Sequence, residues 1–178
     1  NLKGYWRFEN TSSLTEALRD NSGHGNDASH EGAEWTVGVE GINGLGLDAV
    51  GNGGVQLLSN ETVSGSNQQS YAFWFKPAGV DSENGNFDAR IISRDLSEYF
   101  GVRENSSWDE DGKQDLKVHH NGSASPTNIA NALTSGSWHF NAITIDYDEK
   151  EFRYYLYQPD GTLQTITKNS VTYTNASQ

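Results

Sequence analysis

Residues 20–27 have the composition in this chain that is best suited to binding a cation. The octet reads DNSGHGND and contains no large apolar side chain. Its two glycines can adopt backbone angles that other residues resist, so backbone carbonyls can converge on one point. Asp and Asn oxygens and backbone carbonyls are the ligands that Ca²⁺ prefers in proteins. The octet is therefore a candidate calcium site, with a solvated turn as the alternative, because Asn, Asp, Ser and Gly all favour turns.

Two further acidic segments, residues 81–88 and 108–115, combine carboxylates with amides around a Gly and resemble cation-binding loops, and the second also contains a tryptophan. The candidate ligand-binding side chains in these segments are Asp81, Asp88, Trp108, Asp109 and Asp111. Neither segment has the full spacing and the terminal Glu of an EF-hand loop. An aromatic ring can stack on the apolar face of a pyranose while carboxylates and amides bond its hydroxyls. The tryptophan segment is therefore the better candidate for sugar recognition, and an ordinary acidic loop is the alternative for both.

The acidic residues do not form the pattern that a glycosidase needs. Such an enzyme places two carboxylates across one cleft, and carboxylates on one strand face would recur at every second residue. Here they cluster in turns instead. A lyase site stays open, because His139 and Asn141 share a strand face near the tyrosine-rich segment that carries Arg153. The sequence predicts a non-catalytic protein, with a glycosidase or lyase as the alternative.

Nearly every ordered stretch of the sequence has the two-residue period of a β-strand. Strands are predicted at residues 2–8, 55–58, 70–76, 90–93, 99–102, 115–119, 138–147, 151–157, 163–167 and 171–174, with a brief helical turn or loop within 11–19. The strongest of them puts Tyr71, Phe73 and Phe75 on one face and Trp74 on the other. Short strands joined by Gly, Asn and Asp turns predict an antiparallel β-sandwich, in which Trp74 and Trp138 are expected to be largely buried.

Length and charge limit the classes of partner. The chain has 178 residues, a net charge of −12 and 11% aromatic residues, which predicts one domain over residues 1–178 with an aromatic-rich core. An acidic chain repels nucleic-acid phosphate, so a nucleic-acid partner is not expected. The longest apolar runs are too short to span a membrane, so membrane insertion is not expected either.

The residue types that are missing also carry information. The chain contains no cysteine, which excludes a disulfide framework, a thiolate metal site and a cysteine nucleophile. Small secreted animal domains often carry disulfides, so the absence of cysteine favours a bacterial exported protein. The sequence begins directly on a strand-like segment, and we expect a domain excised from a larger exported protein that is secreted or displayed at the cell surface.

Seven short segments, taken in chain order, carry a further pattern. They are GYWRFE (4–9), DNSGHGN (20–26), Trp35 with GLGLD (44–48), YAFWFKP (71–77), IISR (91–94), SWHFNAIT (137–144), and YLY (155–157) with the Asp-Gly at 160–161. Together they resemble the laminin-G/pentraxin type of the concanavalin A-like jelly roll. The resemblance implies two packed antiparallel sheets, a structural Ca²⁺ near the octet, and recognition of glycans or proteins rather than catalysis.

The resemblance also implies a set of calcium ligands. The chain differs from the family pattern at two points. Carried over by position, the ligands are Asp20 and Asn26, with a carbonyl near His24, and Glu9. The first departure is Asn141, which stands where the family has an aliphatic residue. The second is the final family strand, a Gly-x-Ile-Asp-Asp-like run that adds a carboxylate to the calcium, which is missing from this chain.

The combined prediction is a non-catalytic, calcium-stabilised, carbohydrate-binding module of an exported multidomain protein, with a glycan or polysaccharide as its partner. One alternative is a structural or protein-binding adhesion domain of a cell-surface adhesin. The other is a jelly-roll glycoside hydrolase or polysaccharide lyase.

Overall fold

The chain folds almost entirely into antiparallel β-structure. The computed structural model describes residues 2–56, 67–77, 90–93, 100–105, 113–120 and 127–169. The elements are α1 (Leu14–Ala17), β1 (Ser29–Glu40), β2 (Leu45–Gln56), β3 (Gln68–Phe75), β4 (Arg90–Ser93), β5 (Phe100–Asn105), β6 (Lys113–His120), β7 (Thr127–Thr134), β8 (His139–Asp146), β9 (Glu151–Tyr157) and β10 (Leu163–Asn169). Contacts divide the chain into two compact units, residues 1–66 and 67–178. The prediction of one domain over residues 1–178 stays a prediction.

The first unit contains α1 and a hairpin of β1 and β2. The two strands pair antiparallel with two register shifts. Helix α1 begins after Ser13, whose hydroxyl accepts a hydrogen bond from the Glu16 N–H at 3.2 Å, as an N-cap residue does. Ala17 and Leu18 at its end are buried. The helical turn predicted within residues 11–19 is confirmed, and no helix among the described residues has the length and apolar character needed to cross a membrane.

The strand predicted at residues 2–8 is wrong. The structure shows irregular backbone from residue 2 to residue 10. Phe8 has a φ of 59°, in the left-handed region that a strand does not use. The alternation of aromatic and other residues suggested a strand. In the structure, the backbone groups of this segment form hydrogen bonds outside any sheet.

The second unit is a β-sandwich of two four-stranded sheets, in the orders β10-β9-β8-β3 and β4-β5-β6-β7. Both sheets contribute fully buried side chains to one hydrophobic core. These are Leu116, Val118, Ala132, Leu133, Ile143, Ile145, Phe152, Tyr154 and Leu156. Tyr71, Phe73 and Phe75 of β3 pack against this core, on the face that the sequence predicted for them. The predicted antiparallel β-sandwich is confirmed.

Strand β7 was not predicted. Its sequence, TNIANALT, mixes Ala and Asn with few β-branched residues, so its local pattern does not favour a strand. Ala132 and Leu133 are nevertheless almost fully buried, which shows that packing rather than local propensity determines this element. The weak strand predicted at residues 171–174 lies outside the described residues.

Candidate functional site

The Asp20 carboxylate is the centre of the octet that the sequence predicted as a calcium site. It is 8% exposed. Oδ1 accepts hydrogen bonds from the backbone N–H groups of Tyr5 (2.9 Å) and Ser22 (2.8 Å). Oδ2 accepts from the Ser22 hydroxyl (2.7 Å) and the Asn26 N–H (3.0 Å). Burial raises the pKa of Asp20, but these hydrogen bonds together outweigh it and hold the pKa well below its ordinary value, so the group is charged at neutral pH.

Further hydrogen bonds tie the octet to residues 3–6. The Trp6 indole Nε1–H donates to the Asn26 carbonyl at 3.0 Å. The Asn26 side-chain amide donates to the Lys3 carbonyl at 2.6 Å, and the Asn21 N–H donates to the Tyr5 carbonyl at 2.7 Å. The irregular aromatic segment thus finds its backbone partners in the octet rather than in a neighbouring strand, as buried backbone groups must find some partner.

This hydrogen bonding decides how well Asp20 fits a calcium ion. A carboxylate offers about four lone-pair positions, and N–H and O–H donors approach all four at Asp20. A calcium ion bound to Asp20 would have to displace at least one of these donors. Within the described parts of the chain, no three side chains of His, Cys, Asp or Glu come together as metal ligands. The arrangement therefore does not fit a calcium ion at Asp20, and calcium binding by this protein stays a prediction.

The other predicted calcium ligands make contacts of their own. Asn26 is held by Asp20 and Lys3. Nδ1 of His24 lies 3.2 Å from the Ser22 hydroxyl, and Glu9 forms an exposed ion pair with Arg7. The structure brings Asp20, Asn26 and His24 together in one loop through hydrogen bonds within the chain.

The five predicted sugar-binding residues, Asp81, Asp88, Trp108, Asp109 and Asp111, lie outside the described residues. The end of the tryptophan segment is described, because Asp115 belongs to β6. Its carboxylate accepts a hydrogen bond from the Asn131 N–H of β7 at 2.9 Å. Asp115 is therefore engaged in holding two neighbouring strands together.

A row of apolar side chains crosses the outer face of the sheet β10-β9-β8-β3, the face that points away from the core. Trp74 is the register partner of Phe140, Phe140 of Tyr157, and Tyr157 of Leu163. Trp74 is 47% exposed, Tyr157 46% and Leu163 57%, and Phe140 is partly buried. These four residues, one from each strand, form what we call the apolar row. The burial predicted for Trp74 is wrong, because period two places Trp74 opposite the core-facing phenylalanines of β3.

Polar and small residues lie beside the apolar row on the same face. The next row along the strands, the second row, consists of Ala72, Ala142, Tyr155 and Thr165, and the third row consists of Ser70, Thr144, Arg153 and Thr167. Arg153 donates to the Glu151 carboxylate at 2.9 Å. Hydrogen bonds to Glu151 and to Tyr155 raise the pKa of Arg153 above its ordinary value. The face thus changes from apolar to hydroxyl-rich over a short distance.

The apolar row continues into a cation–π pair at the end of β3. The Lys76 ammonium lies 5.6 Å from the centroid of the Trp138 ring, within the range of a favourable contact. Trp138 is partly buried. The aromatic character of this end of the sheet therefore includes a second tryptophan beside Trp74.

Comparison with protein families identifies the fold. A model described as the concanavalin A-like lectin/glucanases superfamily matches residues 50–178, well over half of the chain. The chain belongs to this superfamily. Neither the curated proteins nor the solved structures contain a match to the chain. The resemblance seen in the sequence is confirmed, and the residues that match the concanavalin A-like superfamily include the apolar row but not the octet.

The concanavalin A-like superfamily includes both lectin-like and glycosidase members, so the candidate lyase residues matter. His139 and Asn141 are fully buried. Tyr154 is buried with them and donates its hydroxyl hydrogen to Oδ1 of Asn141. Arg153 lies on the opposite face of the same sheet. These residues form a core network and an outer-face ion pair, and they do not converge on a surface that a polysaccharide can reach.

Sequence reasoning missed the apolar row because the row depends on the register of strands that are distant in sequence. One signal was present in the sequence: Arg153, Tyr155 and Tyr157 lie at every second residue and therefore share one face of β9. The register of β8 against β3 adds Trp74 and Phe140, which no local pattern could assign to the same row.

Proposed function

We propose that the chain is a non-catalytic carbohydrate-binding module and that it binds a glycan on the outer face of the sheet β10-β9-β8-β3. The observation that supports this proposal is the apolar row. Three of the six most exposed large hydrophobic side chains of the described residues belong to it. Large apolar side chains that lie together on a surface, with polar neighbours, mark interaction sites in soluble proteins.

The chemistry of the face suits a sugar. A pyranose has apolar C–H faces that can lie against aromatic rings such as those of Trp74 and Tyr157. The hydroxyl groups of the sugar need donors and acceptors, which Tyr155, Arg153 and Thr144 supply in the second and third rows. Stacking and hydrogen bonding are thus available within the reach of one ligand. Membership of the concanavalin A-like superfamily supports the same ligand class.

The absence of an acid–base pair at the apolar row, among the described residues of the face, supports a non-catalytic role. The carboxylates on its described part are Asp146, which accepts hydrogen bonds from Gln68, Asp148 and Glu149, and Glu151, which is paired with Arg153. Both lie at the far end of the strands from the apolar row. A glycosidase would need two carboxylates on either side of the sugar bound at the row. We further propose that the module belongs to an exported protein, secreted or at the cell surface, where glycans are available.

A glycan array tests the proposal. The wild-type chain is expected to bind at least one glycan, and the double variant Trp74→Ala/Tyr157→Ala is expected to lose that binding. Ile42→Ala is the matched control, because Ile42 is equally exposed (47%) but lies in the first unit, outside the apolar row. Reading the array with and without EDTA shows whether binding needs calcium.

Three outcomes would contradict the proposal. Absence of binding to any glycan would reject carbohydrate recognition and favour the protein-binding adhesion domain. Equal binding by the wild type and the double variant would keep the ligand class but move the site away from the apolar row. Release of reducing sugar from a bound glycan would contradict the non-catalytic assignment.

A further inference from the structure

The shape of the apolar row restricts the form of glycan that it can contact. The ring centroids of Trp74 and Phe140 are 5.2 Å apart, but the ring planes are inclined by 56°. Two rings inclined in this way cannot both lie flat against one planar surface. Adjacent strands of a sheet are also rotated by roughly 20–25° relative to each other, so a row across four strands turns by roughly 60–75° in total. The side chains of the row therefore point in progressively different directions, and the row forms a twisted surface rather than a flat one.

The side chains that lie beside the row are shortest on β3 and β8. The second row has Ala72 and Ala142 at these two strands, and their short side chains lie between larger neighbours. On one side lie the rings of Trp74 and Phe140, and on the other lie the hydroxyl groups of the third row. The two flanking rows are separated by four residues along the strand, roughly 13 Å at the usual rise. This arrangement gives a groove with an alanine floor, one aromatic side and one hydroxyl side.

The described part of this face carries few cations, namely Lys76 and Arg153. Arg153 is held by Glu151, and Lys76 lies over the neutral Trp138 ring. The chain as a whole has a net charge of −12. On the described part of the face, a polyanionic glycan would meet Lys76 as the one cation without a carboxylate partner, and it would be repelled by the charge of the chain.

We propose, on the basis of the proposed function, that the ligand is a single soluble chain of an uncharged glycan that lies in the groove between the apolar row and the third row. A flexible chain can turn so that one sugar ring meets Trp74 and another meets Phe140. The flat face of a crystalline polysaccharide can meet only one of these rings at a time. Hydroxyl groups on the opposite side of the chain bond the third row.

Binding measurements with three kinds of polysaccharide test which form of ligand the protein recognises. Affinity electrophoresis measures retardation of the wild-type chain by soluble neutral polysaccharides (hydroxyethyl cellulose, mixed-linkage β-glucan and galactomannan) and by soluble anionic ones (alginate and polygalacturonate). Pull-down with microcrystalline cellulose and crystalline chitin measures binding to planar surfaces. We expect retardation by at least one neutral soluble polysaccharide, with no retardation by the anionic ones and no pull-down. High salt is expected to leave the retardation unchanged, because no ion pair forms with the ligand.

A substitution in the groove floor tests the binding mode. Ala142→Phe fills the groove with a ring that a strand accommodates well, and it is expected to weaken binding of the soluble polysaccharide by roughly tenfold or more. The matched control is Asn169→Phe, which adds the same ring to the outer face at the far end of β10, outside the three rows. Equal melting temperatures of the two variants show that both are folded.

The outcomes distinguish the inference from the proposed function. Binding to the crystalline materials in preference to the soluble chains, or to the anionic polysaccharides in preference to the neutral ones, would overturn the inference and leave carbohydrate binding intact. Unchanged binding by Ala142→Phe would also overturn it. Absence of binding to every polysaccharide and to every glycan of the array would reject the proposed function and the inference together.

Discussion

Tyr154 donates a hydrogen bond to Asn141 in the centre of the β-sandwich, where neither side chain is exposed to solvent. The Asn141 side-chain amide in turn donates to the His139 carbonyl at 3.2 Å. An amide at this position was the departure from the resembling family, which has an aliphatic residue there. The structure explains how the amide is tolerated: its polar atoms are bonded, and a buried polar group costs little when its partners are present.

Removing one partner of this pair is expected to destabilise the sandwich. Tyr154→Phe leaves Oδ1 of Asn141 buried without its donor, at a cost of about 1–3 kcal/mol in the free energy of unfolding. The double variant Asn141→Leu/Tyr154→Phe removes both polar groups and is expected to recover most of that loss. Urea denaturation measures both, with Tyr157→Phe as the control because Tyr157 is exposed. Asn141→Leu alone completes the cycle, and a double variant that loses as much stability as the two single variants together would show that the two residues are not coupled.

The stability of the protein is expected to fall as the pH decreases below about 6.5 because of His139. Burial lowers the pKa of His139 from its ordinary value of 6.5, and the hydrogen bond to the Ser137 carbonyl opposes this only in part. Below pH 6.5 the unfolded chain therefore takes up a proton that the folded chain resists, which favours unfolding. His139→Gln should lose stability less steeply between pH 6.5 and pH 5, measured by urea denaturation. Parallel curves of stability against pH for the wild type and His139→Gln would contradict the role given to His139.

Asp20 is expected to produce a separate loss of stability at lower pH. Its pKa lies below the ordinary value of 3.8 in the folded state, so its contribution is present above pH 3.8 and is lost as the pH falls through the folded pKa. The Trp6 indole N–H, bonded to the octet, gives an NMR signal that reports on this loop. We expect that signal to persist at pH 5 and to be perturbed in Asp20→Asn at every pH. An unperturbed signal in the variant would show that Asp20 does not organise the loop.

Asp20→Ala is expected to leave unchanged any difference between the melting temperature in excess calcium and that in excess EDTA. The Asp20 carboxylate closes the octet with four hydrogen bonds, and calcium would have to replace one of them. Calorimetry in the two conditions checks this expectation. A higher melting temperature in calcium, abolished by Asp20→Ala, would instead support the calcium site that the sequence predicted, because an ion that binds only the native state stabilises it.

Adjacent aromatic residues on β3 are expected to differ strongly in their contribution to stability. Phe73 packs against the core, and Phe73→Ala is expected to cost about 3–5 kcal/mol. Trp74→Ala removes a ring that is 47% exposed and is expected to leave the melting temperature nearly unchanged while weakening glycan binding by about 1–3 kcal/mol. Thermal denaturation of both variants decides this. Similar losses of stability would place Trp74 in the core.

The sequence alone predicted the features that depend on the two-residue period of a β-strand. The alternation of residues 70–76 placed Phe73 and Phe75 on one face and Trp74 on the other, since side chains of a strand point to its two faces in turn, and the structure shows that the phenylalanines face the core. The same period marked β8 and β9. Burial of Trp74 was mispredicted because residue size was given more weight than the face on which the residue lies.

Features that depend on contacts between residues far apart in the sequence could not be predicted from local patterns. The irregular backbone around Phe8 follows from hydrogen bonds between Tyr5 and the octet, which no local pattern reveals. The donors around Asp20 likewise come from three separate backbone positions. Residue types alone indicate that a carboxylate lies in a loop, but only the fold shows whether cations or N–H groups surround it.

The order of strands in the sheet β10-β9-β8-β3 has a consequence for how the protein folds. Strands β8, β9 and β10 follow one another through short connections, so their pairings close small loops. The pairing of Trp74 with Phe140 closes a much larger one, and contacts of large sequence separation are slow to form. We therefore expect three residues of the apolar row to assemble early, as successive hairpins, and Trp74 to join them late. The complete binding surface would then be one of the last parts of the molecule to mature, and Trp74 fluorescence would report on that step.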